Sequence, residues 1–319
     1  MAIHPNHYRT SRYRTAICGH RGGGGDPENR EQLSEGHALP DAPSHWDYRD
    51  GWANRLRTFA TMMEQGVRMF ELDLLTSKEG EVFVVHNSNI DGEHVWEMTN
   101  AQLERKGCFR PTELLDVAED FQRRTGERVQ FMLELKGAFS SEDLTDAGEN
   151  GVAEKSAELV RNITALLDAR VPSHGWDNDQ LSLIGFNHAM LAMAKDLRPQ
   201  TCIGLNIGKE NFGLDESEMG GFLNEPAYSA YVQKMVDDAK RLDAFAINPD
   251  NRMVTPQFVE AAHAAGILVQ PWTNYGMDEH RETMLEYGVD TLITDYPLTA
   301  AREIEQLRRE SYRNTTRQR

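Results

Sequence analysis

The stretch MMEQGVRMFELDLLT, Met62 to Thr76, changes its hydrophobic period at Gly66. Leu56, Phe59, Ala60 and Met63 before the glycine, with Val67 just after it, follow i, i+3, i+4, i+7, i+11, one face of a helix. After it, MFELDLLT reads as an apolar strand in which Phe70, Leu72 and Leu74 take one side and Glu71 and Asp73 the other. Glycine is the residue expected just past a helix C-terminus. The same helix, glycine, strand junction recurs in HAAGILVQ around Gly266 and LEYGVDTLITD around Gly288. Working outward, further strands are expected at TAIC from Thr15, VQFMLELKG from Val129, LSLIGFN from Leu181, CIGLNIG from Cys202, AFAINPD from Ala244, ILVQPWTN from Ile267 and TLITDYP from Thr291. Met190, Met193, Ala194 and Leu197 repeat the helical spacing, and Thr255-Pro256 opens a helix with a cap and a first-turn proline. Eight βα units and a closing helix from about Pro297 to Arg309 predict a (β/α)8 TIM barrel.

A length of 319 residues suits one such barrel with insertions, so a single domain over 1–319 is expected. Arg30 to Trp52 is a polar insertion in the first βα loop, Ser140 to Asn150 and Lys209 to Glu225 are acidic loops, and the basic tail from about 311 to 319 is expected to be disordered. The balance of 34 Lys+Arg against 51 Asp+Glu, 34 − 51 = −17, argues against nucleic-acid partners and anionic membranes. No run of about 18 apolar residues occurs. Cys18, Cys108 and Cys202 are scattered and odd in number, which suits a reducing compartment, and a cytoplasmic protein is expected.

Barrel chemistry sits at the C-terminal ends of the strands. There the sequence places His20 and Arg21, Glu71 and Asp73, Glu134 and Lys136, Asn187, Asn206, Asn248, Trp272 with Asn274, and Asp295. Two carboxylates projecting into one barrel mouth repel unless something neutralises them. One divalent cation held by Glu71, Asp73 and Glu134 does so with an all-oxygen set suited to Mg²⁺ or Ca²⁺. An internal salt-bridge network with Arg21 and Lys136 is the other reading. His20 and His86, each after an apolar strand run close to the carboxylates, form the natural proton-transfer pair.

These residues, in this order, resemble the glycerophosphodiester phosphodiesterase family. The resemblance rests on H-R-G at His20-Arg21-Gly22, P-E-N at Pro27-Glu28-Asn29 and the E-x-D of Glu71 and Asp73. It also rests on the histidine after V-F-V-V at His86, E-L-K at Glu134 to Lys136, P-W-T-N, and I-T-D-Y-P. It implies a small-molecule phosphodiester substrate, metal ligands at Glu71, Asp73 and Glu134, and His20 and His86 as acid and base. Arg21 and Lys136 would bind phosphoryl oxygens, Glu28 would support the first loop and its histidine, Asn187 would bind or support the substrate, and Trp272 would wall the polyol. The reaction implied is attack by a neighbouring hydroxyl on phosphorus, then hydrolysis of a cyclic phosphate. The chain departs from the family at Arg30, where threonine is usual, and at Asn87, where aspartate is usual. The first-loop insertion is therefore expected to remodel the substrate entrance. An opine-type (agrocinopine-like) sugar phosphodiester is one variant reading, and a lysophospholipase D or sphingomyelinase D-like lipid activity another. An inactive barrel that binds a phosphorylated ligand is the reading from a different class. No basic amphipathic helix argues for stable membrane association.

Overall fold

The computed structural model describes residues 15–26, 52–137, 153–212, 223, 227–273 and 287–317. Within them, eight strands form one parallel ring: β1 (Ala16–Gly19), β2 (Met69–Thr76), β3 (Gln130–Leu135), β4 (Leu181–Gly185), β5 (Ile203–Ile207), β6 (Ala246–Pro249), β7 (Leu268–Val269) and β8 (Thr291–Thr294). Their order is β7-β6-β5-β4-β3-β2-β1-β8. The ring closes where the Asp290 and Ile293 amides donate to the carbonyls of Val269 (2.9 Å) and Pro271 (3.0 Å). The expected (β/α)8 barrel is therefore the fold. Its helices are α1 (Leu56–Glu64), α2 (Pro111–Thr125), α3 (Glu154–Ser173), α4 (His188–Leu197), α5 (Tyr228–Arg241), α6 (Pro256–Ala264) and α7 (Pro297–Arg317).

Alternation along the strands divides two cores. Phe70, Leu72, Phe131, Leu133, Leu183, Leu205, Ile247 and Leu292 face outward and pack with helix residues such as Phe59, Met62, Leu114, Ile163, Leu191, Val232 and Phe258. Cys18, Met69, Met132, Ile184 and Ile293 fill the inside, with Trp272 packed on them. Thr255 caps α6 as expected, its Oγ1 accepting from the Phe258 amide at 3.2 Å. The closing helix overruns its expected end at Arg309 and continues to Arg317, into the segment expected to be disordered. No glycine or proline interrupts it after Pro297, and Glu305 pairs with Arg309 at i,i+4.

A second small core rises between β2 and α2. A strand Val82–Val84 runs antiparallel on β2, and a hairpin pairs Asn89–Ile90 with Glu93–His94. Leu75, Phe83, Val85, Ile90, Val95, Met98, Leu103 and Cys108 pack beneath them. The module is short, and it holds the residue before His86: the Val85 amide donates to the Asp73 carbonyl at 2.9 Å.

Candidate active site

The site grows from the ends of β1, β2, β3 and β8. After Gly19 the chain turns through His20–Gly22, with Arg21 at φ 50°, a left-handed conformation that is uncommon for a side-chain-bearing residue. That turn points the Arg21 amide at Glu71, where it donates to Oε2 at 2.9 Å, and brings Arg21 Nε within 3.4 Å of Asp73 Oδ2. His20 Nδ1 lies 2.7 Å from Asp295 Oδ1, just past β8, and its Nε2 lies 3.8 Å from Glu71 Oε2.

The glycine run after His20 is closely packed. Gly23 has φ 73°, and a Cβ there would lie 2.6 Å from Pro297 Cγ; one on Gly25 would lie 2.7 Å from the Asp295 carbonyl, which already accepts from the Gly25 amide. Asp26 then caps α7 from a distance, accepting from the amides of Leu298 (3.0 Å) and Thr299 (2.9 Å). The first loop is thus fastened to the segment carrying Asp295.

Glu71, Asp73 and Glu134 converge, each offering an oxygen within 4.8 Å of the others. Strand register produces this, because Asp73 sits opposite Glu134 across the β2–β3 ladder and Glu71 lies two residues earlier on the same face. Lys136 Nζ reaches Glu134 Oε1 at 2.6 Å and Asp73 Oδ1 at 3.1 Å. Asn54, just ahead of α1, donates from Nδ2 to Asp73 Oδ2 at 2.7 Å. Burial, then the Asp73 and Glu134 charges, push the Glu71 carboxyl well above the usual range. Burial also raises Glu134, while Lys136 opposes it. At Asp73 burial acts upward too, but Lys136, His86, Arg21 and Asn54 outweigh it and hold the carboxyl far below its ordinary value.

The salt bridges of the second sequence reading are therefore present, yet they leave oxygen unspent. Glu71 Oε1 is buried with no hydrogen-bond partner among the described residues. With all three carboxylates ionised, as an ion's ligands would be, Lys136 and Arg21 bring the sum to −3 + 2 = −1, and a divalent cation would bring this to +1, opposite in sign to a phosphodiester. The hard oxygen set, the orphaned oxygen and the charge all fit such an ion.

His86 follows the strand Val82–Val84, and its Nδ1 lies 2.7 Å from Asn87 Oδ1. Burial, reinforced by the Lys136 charge, lowers its pKa to about 3. On the opposite wall, Trp272 donates from Nε1 to the Asn248 carbonyl at 2.8 Å and meets Phe186 edge to face at 5.4 Å. The β4 loop uses Asn187 to cap α4, its Oδ1 accepting from the amides of Ala189 and Met190. Glu28 and the rest of P-E-N lie outside the described residues. Among those described, Asp295 fastens His20 and Asn54 fastens Asp73. The rim position of Asp295 was legible in the sequence but its partner was not; Asn54 gave no signal beyond its place before α1.

The chain matches the model of the glycerophosphoryl diester phosphodiesterase family over residues 20–299. It is 24% identical over 248 residues to a glycerophosphodiester phosphodiesterase of Caldanaerobacter subterraneus subsp. tengcongensis, covering 77% of this chain and 89% of that protein. Its fold resembles a phosphodiesterase of Oleispira antarctica, solved with the product sn-glycerol-3-phosphate, at TM-score 0.62 and 19% identity over 93% of this chain and 100% of the other. A glycerophosphodiester phosphodiesterase of Parabacteroides distasonis is similar at TM-score 0.62 and 17% identity, over 92% and 97% of the two chains. With nearly the whole barrel matched, from His20 to the start of the closing helix, the chain belongs to the glycerophosphoryl diester phosphodiesterase family of phosphoric diester hydrolases.

Proposed function

We propose that the protein hydrolyses a glycerol-, polyol- or sugar-linked phosphodiester to an alcohol and a phosphomonoester, in the cytoplasm, with one divalent cation and two histidines of unequal character. The observation that carries the reading is the convergence of Glu71, Asp73 and Glu134 beside an imidazole fastened to Asp295. The family resemblance and the sn-glycerol-3-phosphate in the Oleispira relative support the choice of diester.

Glu71, Asp73 and Glu134 would hold the cation, Mg²⁺ or Ca²⁺, which when bound neutralises the diester and acidifies a neighbouring hydroxyl. The lowered His86 rests unprotonated, so it is the member of the pair ready to take a proton. His20 presents Nε2 to the site while Asp295 holds Nδ1, so the carboxylate stabilises the charged ring when His20 carries the proton destined for the leaving alkoxide. Arg21 and Lys136 supply the positive charge facing the nonbridging oxygens. A substrate hydroxyl beside the phosphoester attacks phosphorus, and water opens the resulting cyclic phosphate. Trp272 and Phe186 offer an aromatic wall for the alcohol, and the first-loop insertion shapes the entrance. Three free thiols, at Cys18, Cys108 and Cys202, are consistent with the cytoplasm. No helix among the described residues is long and apolar enough to cross a membrane.

The test is phosphomonoester release from a panel of glycerol, polyol and sugar diesters, with and without an acyl chain, before and after chelation. Turnover that chelation abolishes and His20→Ala eliminates, with ion binding retained, is expected. Ligand binding without turnover on any diester would instead make the chain a binding protein, and full activity in His20→Ala would remove the acid-base assignment.

A further inference from the structure

Asn54 has two features that its role as a tether for Asp73 does not explain. Its backbone lies at φ 51°, in the left-handed region, and its side-chain Oδ1 is buried with no hydrogen-bond partner among the described residues. Both are costly for a residue only 2% exposed. The surroundings hold them in place. The Asn54 amide donates to the Arg21 carbonyl at 2.9 Å, Trp52 and Ala53 before it are buried, and the Thr58 hydroxyl bonds the Trp52 carbonyl at 2.7 Å. The result is a carboxamide fixed at one corner: Nδ2 is spent on Asp73 Oδ2, a member of the three-carboxylate cluster, and Oδ1, on the same planar group, is left buried with no partner among the described residues.

We propose that Asn54 is a fourth protein ligand of the divalent-cation site, its Oδ1 joining Glu71, Asp73 and Glu134. The proposal rests on the metal-dependent reading above. Magnesium and calcium are oxygen-seeking, and calcium in particular takes amide carbonyls among six or more ligands. A neutral ligand also fits the charge of the site. With the ion, three carboxylates, Lys136 and Arg21 sum to +1, whereas a fourth carboxylate would cancel the charge that attracts the diester. Asn54 follows the Arg30 to Trp52 insertion by two residues in the sequence.

The experiment counts water molecules on the ion. Terbium, a hard luminescent substitute for calcium, is bound to the full-length protein and its lifetime compared in H2O and D2O, alongside calorimetric titration with Ca²⁺ and Mg²⁺. Asn54→Gly keeps the left-handed backbone but removes the carboxamide; it is expected to gain one bound water and to bind about ten-fold more weakly. Asn54→Asp keeps an oxygen and is expected to retain the wild-type water count with tighter binding. Weaker binding by Asn54→Gly at the wild-type water count would overturn the proposal, because loss of the Asp73 tether alone gives that result. Should Asn54→Gly melt out in circular dichroism, an extra water in Asn54→Asp would overturn it and an unchanged count would support it. Failure of the wild-type protein to bind any of the three ions would overturn the metal reading, and this proposal with it.

Discussion

Replacing Asp295 by asparagine keeps the volume of the side chain that fastens His20 and removes its charge. The contact is short, 2.7 Å between Nδ1 and Oδ1, and largely shielded, with the His20 and Asp295 side chains 14% and 3% exposed. A hydrogen bond to a charged group in such surroundings contributes about 1.5–3 kcal/mol. If that stabilisation is realised as the imidazole carries its proton, its loss lowers kcat about 10- to 100-fold. Asp295 Oδ1 bonds His20 rather than the carboxylate cluster, so KM for the diester and the affinity for the divalent ion should hold. The carbonyl that receives the Gly25 amide is untouched by the substitution, so the melting temperature should hold too. Steady-state kinetics across the pH profile, calorimetric ion titration and thermal unfolding of Asp295→Asn together make the assay. A kcat within about twofold of wild type at every pH would refute the view that Asp295 acts through His20.

Three further outcomes follow from the same contacts. Folded Glu71 and Glu134 bind protons more tightly than an unfolded carboxyl, so their contribution to stability falls as pH rises from the ordinary carboxylate value through their raised ones. Asp73, depressed, contributes in the opposite sense: its share is present above the ordinary value and lost as pH falls. Divalent-ion binding in the mildly acidic range should therefore release protons, seen as calorimetric heats that differ between buffers of unlike ionisation enthalpy; equal heats would count against the raised carboxyls. Asp26→Ala removes the cap on α7 and should cost about 1–2 kcal/mol in denaturant unfolding, whereas an unchanged midpoint would mean that the clamp contributes nothing. Excising residues 30–50 should change relative rates across a diester panel while sparing ion affinity, and unchanged relative rates would deny the insertion a part in selectivity.

Much of the fold could be read locally because each βα unit carries its own signals. The period change at Gly66 and the cap at Thr255 involve residues within a few positions of one another. Strand ends were less legible: the reading ran ILVQPWTN to Asn274, while β7 stops at Val269. Backbone hydrogen bonds to the neighbouring strands continue beyond Val269, from the Gln270 and Trp272 amides to the Ile247 and Pro249 carbonyls, and the active-site rim occupies that extension. The carboxylates were legible for the same reason, since Glu71 and Asp73 announce a shared face two residues apart. What could not be read depends on distant partners. Gly23 and Gly25 owe their identity to Pro297 and Asp295, and Asn54 owes its importance to Asp73. A glycine run without its partners is indistinguishable from flexible chain.

The joining of His20 to Asp295 has a consequence for the order in which this protein becomes functional during synthesis. The two residues are 275 positions apart, and β1 also waits for β8 as one of its two neighbours. A nascent chain extended as far as Lys136 already contains every proposed ion ligand, but its first histidine has nothing to orient it. Catalytic competence therefore arrives only with the last strand to leave the ribosome.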